Sequence, residues 1–498
     1  MSKILPSRGK NTTSPSLLSL INGRILISFC IMAISAYAGI FSKEVDTKSI
    51  IVQVVIIAWL LSGPLSRWVL GQVDVLDPVA LLSLFGIHYF IFGPIYQLSL
   101  DYWPFLPWTS SVEAYVAVWY WWQVAIISIS FISLTLFSEL GRNEISDTKK
   151  TIFLLREIPI ILVVITFVVK LATIVMLGGF SGIIDTYQAR LDGGGVSENN
   201  TFAGLGVVIA VGNAFPIAFG YWVIFLLKDK YWAKSRLFLM AFAITMFAIT
   251  FASNGLMGSR ANVIYAVVIV LALYHFVIRP FRAVQIIFAI VALFSFSQLY
   301  YSFKFGGIEG LLNGQTSTSI LKGRQIDDLS NFGIIRDYTR MDVQTLAIYS
   351  VDTGATKNSW GRSYLGGVAA IIPSAIWPSR MDSFTLEKSR IMFGRNDPGK
   401  ITNLVFGGFG EAYVNFGILS AILSPVLGLL LYKMRKSVAL AGSSYNLHVA
   451  YKASIMVIFP IMLLIYDSNS LLYVIISAGM IPFVYSLFSK NVMVADDI

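Results

Sequence analysis

The sequence predicts an all-α, polytopic membrane protein, and three observations carry that prediction. The 498 residues are 56% hydrophobic and only 13% charged, which is about half the charged fraction of a soluble domain. Apolar runs of about 20 residues, the length that crosses a bilayer as a helix, recur along the chain. A membrane β-barrel would instead show alternating segments of about ten residues. Since backbone groups in lipid must bond internally, we expect these runs to be helices.

Twelve apolar runs are interpreted as transmembrane helices. They cover approximately residues 20–41, 48–66, 75–100, 112–136, 158–177, 201–227, 236–252, 260–278, 283–303, 406–432, 447–465 and 469–488. The first run follows a polar, basic N-terminus without a small-residue cleavage site, which is typical of a retained signal anchor. Lys and Arg concentrate in alternate loops, so the positive-inside rule predicts that both termini are cytoplasmic. The chain is thereby divided into an N-terminal membrane region, a large outer loop and a C-terminal membrane region: 1–303, 304–405 and 406–498.

The sequence lacks the usual cofactor motifs. A single cysteine, Cys30, excludes an intrachain disulfide, and the three histidines are far apart. A metal site built from Cys or His is therefore not expected. Neither a P-loop nor a GxGxxG motif occurs, so no nucleotide site is indicated. We expect a protein that uses no metal or other cofactor and has no nucleic-acid partner.

The predicted outer loop is basic. Residues 304–405 hold 12 Lys and Arg against 9 Asp and Glu. This excess favours an anionic partner, although a solvated surface of mixed charge gives the same count. Within the loop, 334–350 is predicted to form a helix with Arg336 and Arg340 one turn apart on its polar face. That helix could lie on the membrane surface or pack over the spans. A second short amphipathic helix is predicted to end at Pro373.

Two carboxylates occupy positions that are costly without a partner. Asp342 falls within the apolar face of the predicted loop helix, so either a nearby Arg neutralises it or it has a function. Glu411 lies in "FGGFGEAYVNFG", where the tenth span begins among glycines that permit close approach of a backbone or ligand. In a structural role, Glu411 stabilises the helix N-terminus or pairs with a loop Arg. In a functional role, it accepts a proton or holds an Arg that binds a ligand. Asp467, in contrast, is predicted to be a solvated residue of an outer turn.

Cations at the outer ends of the spans suit an anionic ligand. Arg190 and Tyr187 lie in a glycine-flanked outer loop, and Arg260 opens a helix after a tight turn. Backbone N–H groups and a guanidinium at one helix start can bind phosphate together, although a snorkelling Arg would need no ligand. Lys170 lies within a span, where a charge is costly and indicates function. It could reach towards a carboxylate at the outer face, or it could have no functional role.

A set of motifs resembles those of a known family. "GSRANVI" follows an outer turn, "GRSYL" leads into "IIPSAIWPSR", and "FGGFGEAYVNFG" enters a span. Over about 250–430 the chain resembles the oligosaccharide repeat-unit polymerases, the O-antigen polymerase (Wzy-like) proteins of bacterial inner membranes. It departs from the family's loop motif at Ser374, where an Arg is common, and at Arg380, which stands in the place of a Lys.

The resemblance implies a metal-independent membrane glycosyltransferase with a fold like that of class-C glycosyltransferases. Such an enzyme transfers a sugar chain from undecaprenyl pyrophosphate onto the next lipid-linked repeat unit at the periplasmic face, and so makes O-antigen or a related surface polysaccharide. Glu411 or, as second choice, Asp342 would be the catalytic base. The candidates for contacts to the pyrophosphate are Arg190, Arg260, Arg340, Arg336, Arg380, Arg390 and Arg395. Tyr187, Lys170 and Asn415 are further candidates for the site.

The resemblance also implies partners and leaves two alternatives open. Besides the lipid-linked oligosaccharide and membrane lipid, a chain-length regulator and other polysaccharide assembly proteins are implied. One alternative is the O-antigen ligase, which is usually described with a catalytic His in the outer loop, whereas 304–405 contains none. The other is a lipid-linked oligosaccharide flippase or another transporter. A flippase would carry charges through many spans, whereas this chain concentrates its charges in one loop.

Overall fold

The computed structural model describes the chain in segments, and everything below refers to them. They are residues 47–100, 103, 109–140, 151–153, 158–176, 178, 179, 182, 206–256, 259–313, 339–369, 372, 377, 379, 381, 384, 391, 405–443, 447–488 and 491–493. The predicted span at 20–41 lies outside the described residues.

Helices dominate these segments. Up to residue 313 they are α1 (Thr47–Val69), α2 (Pro78–Ile87), α3 (Gly93–Leu100), α4 (Ser110–Glu113), α5 (Val116–Leu140), α6 (Ile158–Met176), α7 (Gly206–Asn213), α8 (Phe215–Leu227), α9 (Arg236–Thr250), α10 (Arg260–Val277) and α11 (Ala283–Asn313). After residue 338 they are α12 (Met341–Asp352), α13 (Arg362–Ala369), α14 (Gly407–Phe416), α15 (Ser424–Ser443), α16 (Leu447–Ile465) and α17 (Ser468–Phe488). Two short strands, β1 (Thr151–Phe153) and β2 (Asn491–Met493), pair antiparallel.

Many of these helices have the length and composition of membrane spans. Within the described segments, nine stretches are long and apolar enough to cross a bilayer: Ile50–Val69, Pro78–Ser99, Ser111–Leu140, Val207–Leu227, Arg236–Gly255, Arg260–Val277, Ala283–Tyr300, Gly407–Gly442 and Leu447–Ile465. Two shorter apolar helices are Ile160–Met176 and Ser468–Met480. The predicted polytopic helical membrane protein is therefore confirmed, and each predicted span after the first overlaps one of these helices. Helix α11 runs on to Asn313, beyond the predicted end of its span at 303.

Several spans are interrupted by irregular backbone. π-helical turns occupy His88–Phe92, between α2 and α3, and Phe251–Gly255, at the end of α9. Helices α7 and α8 meet at Ala214 with a break, and the 3₁₀ segment Gly417–Leu423 separates α14 from α15. Gly417 has φ +57°, a conformation that glycine adopts without steric cost. Such interruptions inside membrane helices are tolerated where protein buries them, and they often occur at functional sites.

The helix predicted over 334–350 differs from the observed one in both extent and environment. It begins at Met341, so Arg340 is the residue before the helix and not part of a polar helical face. Helix α12 packs against α5 and α14, and nine of its residues are buried: Met341, Asp342, Val343, Gln344, Thr345, Leu346, Ala347, Ile348 and Ser350. Of the two arrangements left open, packing over the spans is the one observed, and the neighbouring helices cover the polar side as well as the apolar one.

The bundle has two chemically different ends. At one, here called the loop end, α10, α14 and α17 begin, and α12 and α13 pack against α14 and α17. At the opposite end, Arg435 Nε lies 2.7 Å from Asp77 Oδ2, and His275 Nε2 lies 3.1 Å from Asp74 Oδ1. The predicted site residues that the structure describes all lie towards the loop end.

Candidate functional site

A buried carboxylate organises the start of α14. Glu411 is 0% exposed, and its Oε1 accepts hydrogen bonds from Ser363 Oγ of α13 and Ser468 Oγ of α17, both at 2.6 Å. Its Oε2 accepts from the backbone N–H of Ser468 at 2.6 Å. Hydroxyl and amide donors therefore stabilise this carboxylate, and no arginine contacts it within the described segments. We call Glu411, Asn415, Ser363 and Ser468 the Glu411 cluster.

Asn415 extends the same cluster by one helical turn. Its Nδ2 donates to Ser363 Oγ at 2.7 Å and to the Glu411 carbonyl oxygen at 2.9 Å. Its Oδ1 accepts from the N–H of Gly361 at 2.8 Å, and its carbonyl oxygen accepts from the N–H of Trp360 at 3.0 Å. Glu411 and Asn415 together thus hold α13 and the turn before it against α14.

Trp360 sits in that turn with a strained backbone. Among the described residues it is the one non-glycine residue with positive φ, +48°. A left-handed conformation costs a residue with a side chain roughly 1–2 kcal/mol. The following residue, Gly361, also has positive φ, +83°, without that cost. The hydrogen bonds that Trp360 and Gly361 donate to Asn415 maintain the strained geometry.

A second buried network surrounds Gln344 of α12. Its Oε1 accepts from Trp119 Nε1 at 2.8 Å and from Gln123 Nε2 at 3.0 Å, both on α5. Its Nε2 donates to Tyr89 Oη at 3.0 Å and to the Phe406 carbonyl oxygen at 2.7 Å. Gln344 is 0% exposed, so these four bonds use its amide on both sides and fix α12 between the spans. We call Gln344, Trp119, Gln123 and Tyr89 the Gln344 cluster.

Gly407, the first residue of α14, makes room for this network. Its φ is +75°, and a β-carbon there would clash with the Leu464 carbonyl oxygen and meet Gln344 Nε2 at 3.3 Å. Tyr89 Oη donates to the same carbonyl oxygen at 3.1 Å. Only glycine fits both the backbone conformation and the space.

Asp342 lies at the start of α12, beside Arg340. Its Oδ1 accepts from the Val343 N–H at 2.8 Å, and its carboxyl also interacts with Gln97 of α3 and with the Arg340 charge. Burial raises the pKa of Asp342 above its ordinary value, while these donors and Arg340 act in the opposite direction. The expected Arg neighbour is therefore present, and the carboxyl remains only 6% exposed.

Lys170 forms a third buried cluster. Its Nζ donates to Asn213 Oδ1 at 2.6 Å, where α7 ends, and to Asn254 Oδ1 at 3.1 Å, in the π-helical turn after α9. Asn213 Nδ2 donates to Tyr473 Oη of α17. These two hydrogen bonds of Lys170 go to amide oxygens at two helix interruptions. We call Lys170, Asn213, Asn254 and Tyr473 the Lys170 cluster.

Arg260 opens α10, as predicted, and the start of this helix lies next to the Lys170 cluster. Ser259 caps the helix by accepting from the Asn262 N–H, and Asn262 also bonds Tyr473. Arg260 Nη1 lies 3.3 Å from Ser297 Oγ of α11, and its charge acts on Tyr300. Arg260 is half-buried, so its guanidinium is held by protein on one side.

Helix α17 contacts both charged clusters. Ser468 belongs to the Glu411 cluster and Tyr473 to the Lys170 cluster, five residues apart. Five residues span about 7.5 Å along an α-helix. Asp467, which was predicted to be solvated, is 1% exposed, because it caps α17 by accepting from the Ser470 N–H at 3.1 Å. Within the described segments, no group of three His, Cys, Asp or Glu side chains could hold a metal ion.

The remaining predicted site residues cannot be placed in this geometry. They lie outside the described residues: Tyr187, Arg190, Arg336, Arg380, Arg390 and Arg395. Sequence reasoning also missed the partners that complete the clusters: Trp119, Gln123, Asn213, Asn254, Gln344, Ser363, Ser468 and Tyr473. The available signal was the occurrence of Gln and Asn inside apolar runs, where polar groups need partners.

Comparison with known proteins found no relative of this chain. The chain matches no protein-family model, no curated protein and no solved structure.

Proposed function

We propose that this protein polymerises oligosaccharide repeat units carried on undecaprenyl pyrophosphate. The membrane would be the bacterial inner membrane, with both termini cytoplasmic and the loop end in the periplasm. The positive-inside pattern supports this orientation. The motif resemblance to O-antigen polymerases over 250–430 supports the same orientation, and it also implies the proposed class-C-like fold.

The observation that carries the proposal is the gathering of buried carboxylates and half-buried arginines at the loop end. Asp342 and Glu411 lie there with Arg340 and Arg260, in a chain whose sequence offers no nucleotide motif. A glycosyl pyrophosphate already contains an activated bond, so its transfer needs no nucleotide. Arginine suits the departing pyrophosphate, because its charge is permanent and its planar group binds two oxygens.

The proposed reaction needs one proton acceptor and fixed positive charge. The acceptor hydroxyl oxygen forms a bond to the anomeric carbon, the bond from that carbon to the pyrophosphate oxygen breaks, and the electron pair leaves with the pyrophosphate. The hydroxyl proton passes to a carboxylate, and cations stabilise the leaving group.

The geometry favours Asp342 over Glu411 as that base, which reverses the order expected from sequence. Asp342 lies beside the Arg340 guanidinium, and burial raises its pKa above the ordinary value, which makes the carboxylate a better proton acceptor. Glu411 already accepts three hydrogen bonds and is fully enclosed, so we assign it a positioning role.

Deletion of the gene in the source strain tests the proposal. Surface lipopolysaccharide run on a gel should collapse from a ladder to a single repeat-unit band, because single units are still flipped and ligated. Complete loss of the O-chain would overturn the proposal. Long chains left on the lipid carrier would then indicate a ligase, and single units trapped on the cytoplasmic side would indicate a flippase.

Variants of the same strain test the assigned residues. Asp342→Asn and Arg340→Ala should each give the single-unit band at a normal protein level. Lys433→Met, an exposed residue at the opposite end, should keep the full ladder. A full ladder with Asp342→Asn would remove Asp342 as the base.

A further inference from the structure

The turn before α13 presents one tryptophan in a fixed orientation. Four backbone hydrogen bonds define it: Ser359 N–H to Val414 O, Trp360 N–H to Asn415 O, Gly361 N–H to Asn415 Oδ1, and Arg362 N–H to Ser359 O. The indole is nevertheless 66% exposed. Strained backbone persists only where the surroundings over-determine it, and it concentrates at functional sites. Here the surroundings are the Glu411 cluster.

The groups around the indole combine aromatic and polar character. Trp360 meets Phe416 edge-on at 6.3 Å between ring centroids, and Tyr364 stacks on the same ring at 6.3 Å. Lys357 and Arg362 are exposed on either side of Trp360 in sequence. Asn358 Oδ1 is buried and accepts no hydrogen bond from the described part of the chain.

We propose that Trp360 is a stacking surface for a sugar ring of the oligosaccharide substrate, an inference that rests on the function proposed above. One face of a pyranose presents C–H groups that pack on an aromatic ring, while its hydroxyls reach polar groups at the ring edge. The Trp360 indole offers the apolar face, and the exposed Lys357 and Arg362, close to it in sequence, offer polar groups for the hydroxyls. A backbone that is already fixed leaves only the side-chain torsions of Trp360 to be ordered when a ligand binds.

A Trp that only anchors the protein at the membrane interface is the competing explanation. Interfacial tryptophans act through their amphipathic ring and need no special backbone conformation. The left-handed φ of Trp360, maintained by hydrogen bonds to buried groups of α14, therefore favours a role that depends on orientation.

Binding of a defined probe to the purified full-length protein tests the proposal. The probe is the source strain's own repeat-unit oligosaccharide, freed from lipid by mild acid, and its affinity is measured in detergent. Trp360→Gly removes the ring and also the backbone strain, so the fold should persist. Trp360→Leu keeps an apolar anchor without a stacking face. Both should weaken binding about tenfold or more, while Trp360→Tyr should stay within about threefold of wild type.

Trp232→Leu is the matched control, since Trp232 is similarly exposed at the opposite end of the bundle. It should bind the oligosaccharide as the wild type does. Equal binding by wild type, Trp360→Gly and Trp360→Leu would overturn the stacking proposal. So would poorer recovery of Trp360→Gly in the membrane fraction with sugar affinity unchanged, because that result identifies a membrane anchor.

The gel assay separates this inference from the proposed function. If deletion gives the single-unit band but Trp360→Gly keeps a full ladder and full affinity, the polymerase proposal stands and the stacking site is wrong. If deletion does not give that band but Trp360 variants still lose oligosaccharide affinity, the sugar site stands and polymerisation is wrong.

Discussion

The Glu411 cluster and the Lys170 cluster lie at the same end of the bundle, yet they stabilise a buried charge in different ways. Glu411 accepts three short hydrogen bonds, one of them from the backbone N–H at the start of α17. Lys170 donates to two side-chain amide oxygens, at 2.6 and 3.1 Å. Its partners come from helix interruptions, whereas those of Glu411 come from a loop helix and a helix start.

The difference indicates separate structural roles. The Glu411 carboxylate connects α13, a helix of the predicted outer loop, to α14 and α17. It therefore fixes part of that loop to the membrane helices. The ammonium connects α6, α7 and the turn after α9, so it fixes spans to one another. Because α17 contacts both clusters, a change in one is expected to reach the other through that helix.

Removing the Glu411 carboxylate should have the largest effect on stability. Glu411→Leu leaves three buried donors without an acceptor, and we expect a loss of about 3–4 kcal/mol in the free energy of unfolding. Glu411→Gln should cost less than about 1 kcal/mol, because both serine hydroxyls can rotate to accept from the new amide. Denaturant titration of the purified protein in detergent measures both.

The same pair of variants separates positioning from catalysis. Glu411→Gln should keep the polysaccharide ladder if Glu411 only positions α13. A stable Glu411→Gln protein that gives the single-unit band would instead return the role of base to Glu411. Equal destabilisation by Gln and Leu would show that the charge, and not the acceptor oxygens, holds the cluster together.

A substitution at Gln344 tests whether the neutral Gln344 cluster fixes α12 as firmly as the charged Glu411 cluster fixes α13. Gln344→Leu leaves the donors of Trp119 and Gln123 and the Phe406 carbonyl oxygen unpaired, so we expect a loss of about 2–3 kcal/mol. Gln53, equally buried but donating at 3.4 Å to Ala117 O, is the control. Gln53→Leu should cost clearly less in the same titration. Equal costs for both variants would contradict a special role for the Gln344 cluster.

Lys170→Met should destabilise the protein less than Glu411→Leu or Gln344→Leu does. Two amide oxygens lose a donor, but a charge is also removed from the membrane interior, which partly compensates the loss. We expect a net cost of about 1–2 kcal/mol, against less than about 0.5 kcal/mol for the exposed Lys433→Met. A loss as large as that of Glu411→Leu would mean that both clusters depend on charge to the same degree.

The spans were predictable from sequence because their signal is local. A run of apolar residues has to be a helix in lipid, and each described run is one. The contacts of α12 were not predictable, since Gln344 looks like part of a solvated face until its partners Trp119 and Gln123 on α5 are known. Asp467 was misjudged for the same reason, because a helix cap resembles a solvated turn in sequence.

The candidate site was predictable only where a residue is unusual for its surroundings. A carboxylate among glycines and a lysine within a span stand out, so Glu411 and Lys170 were identified. Ser363 and Ser468 could not be, because hydroxyls are common and these contacts join residues 48 and 57 positions away from Glu411. The strain at Trp360 depends on hydrogen bonds to α14, so it also has no local signal.

Asp342 provides a third buried charge, and its effect on stability should be the smallest and should depend on pH. Its folded-state pKa is raised by burial, so the folded protein binds this proton more tightly than the unfolded chain does. Its contribution to stability is therefore fully present below the unfolded-state pKa of about 3.9 and is lost as the pH rises through the folded-state value. Asp342→Asn removes this titration, so the wild type should lose stability relative to the variant across that window. Parallel stability curves for the two proteins between pH 4 and 8 would show that Arg340 and Gln97 fully offset the burial of Asp342.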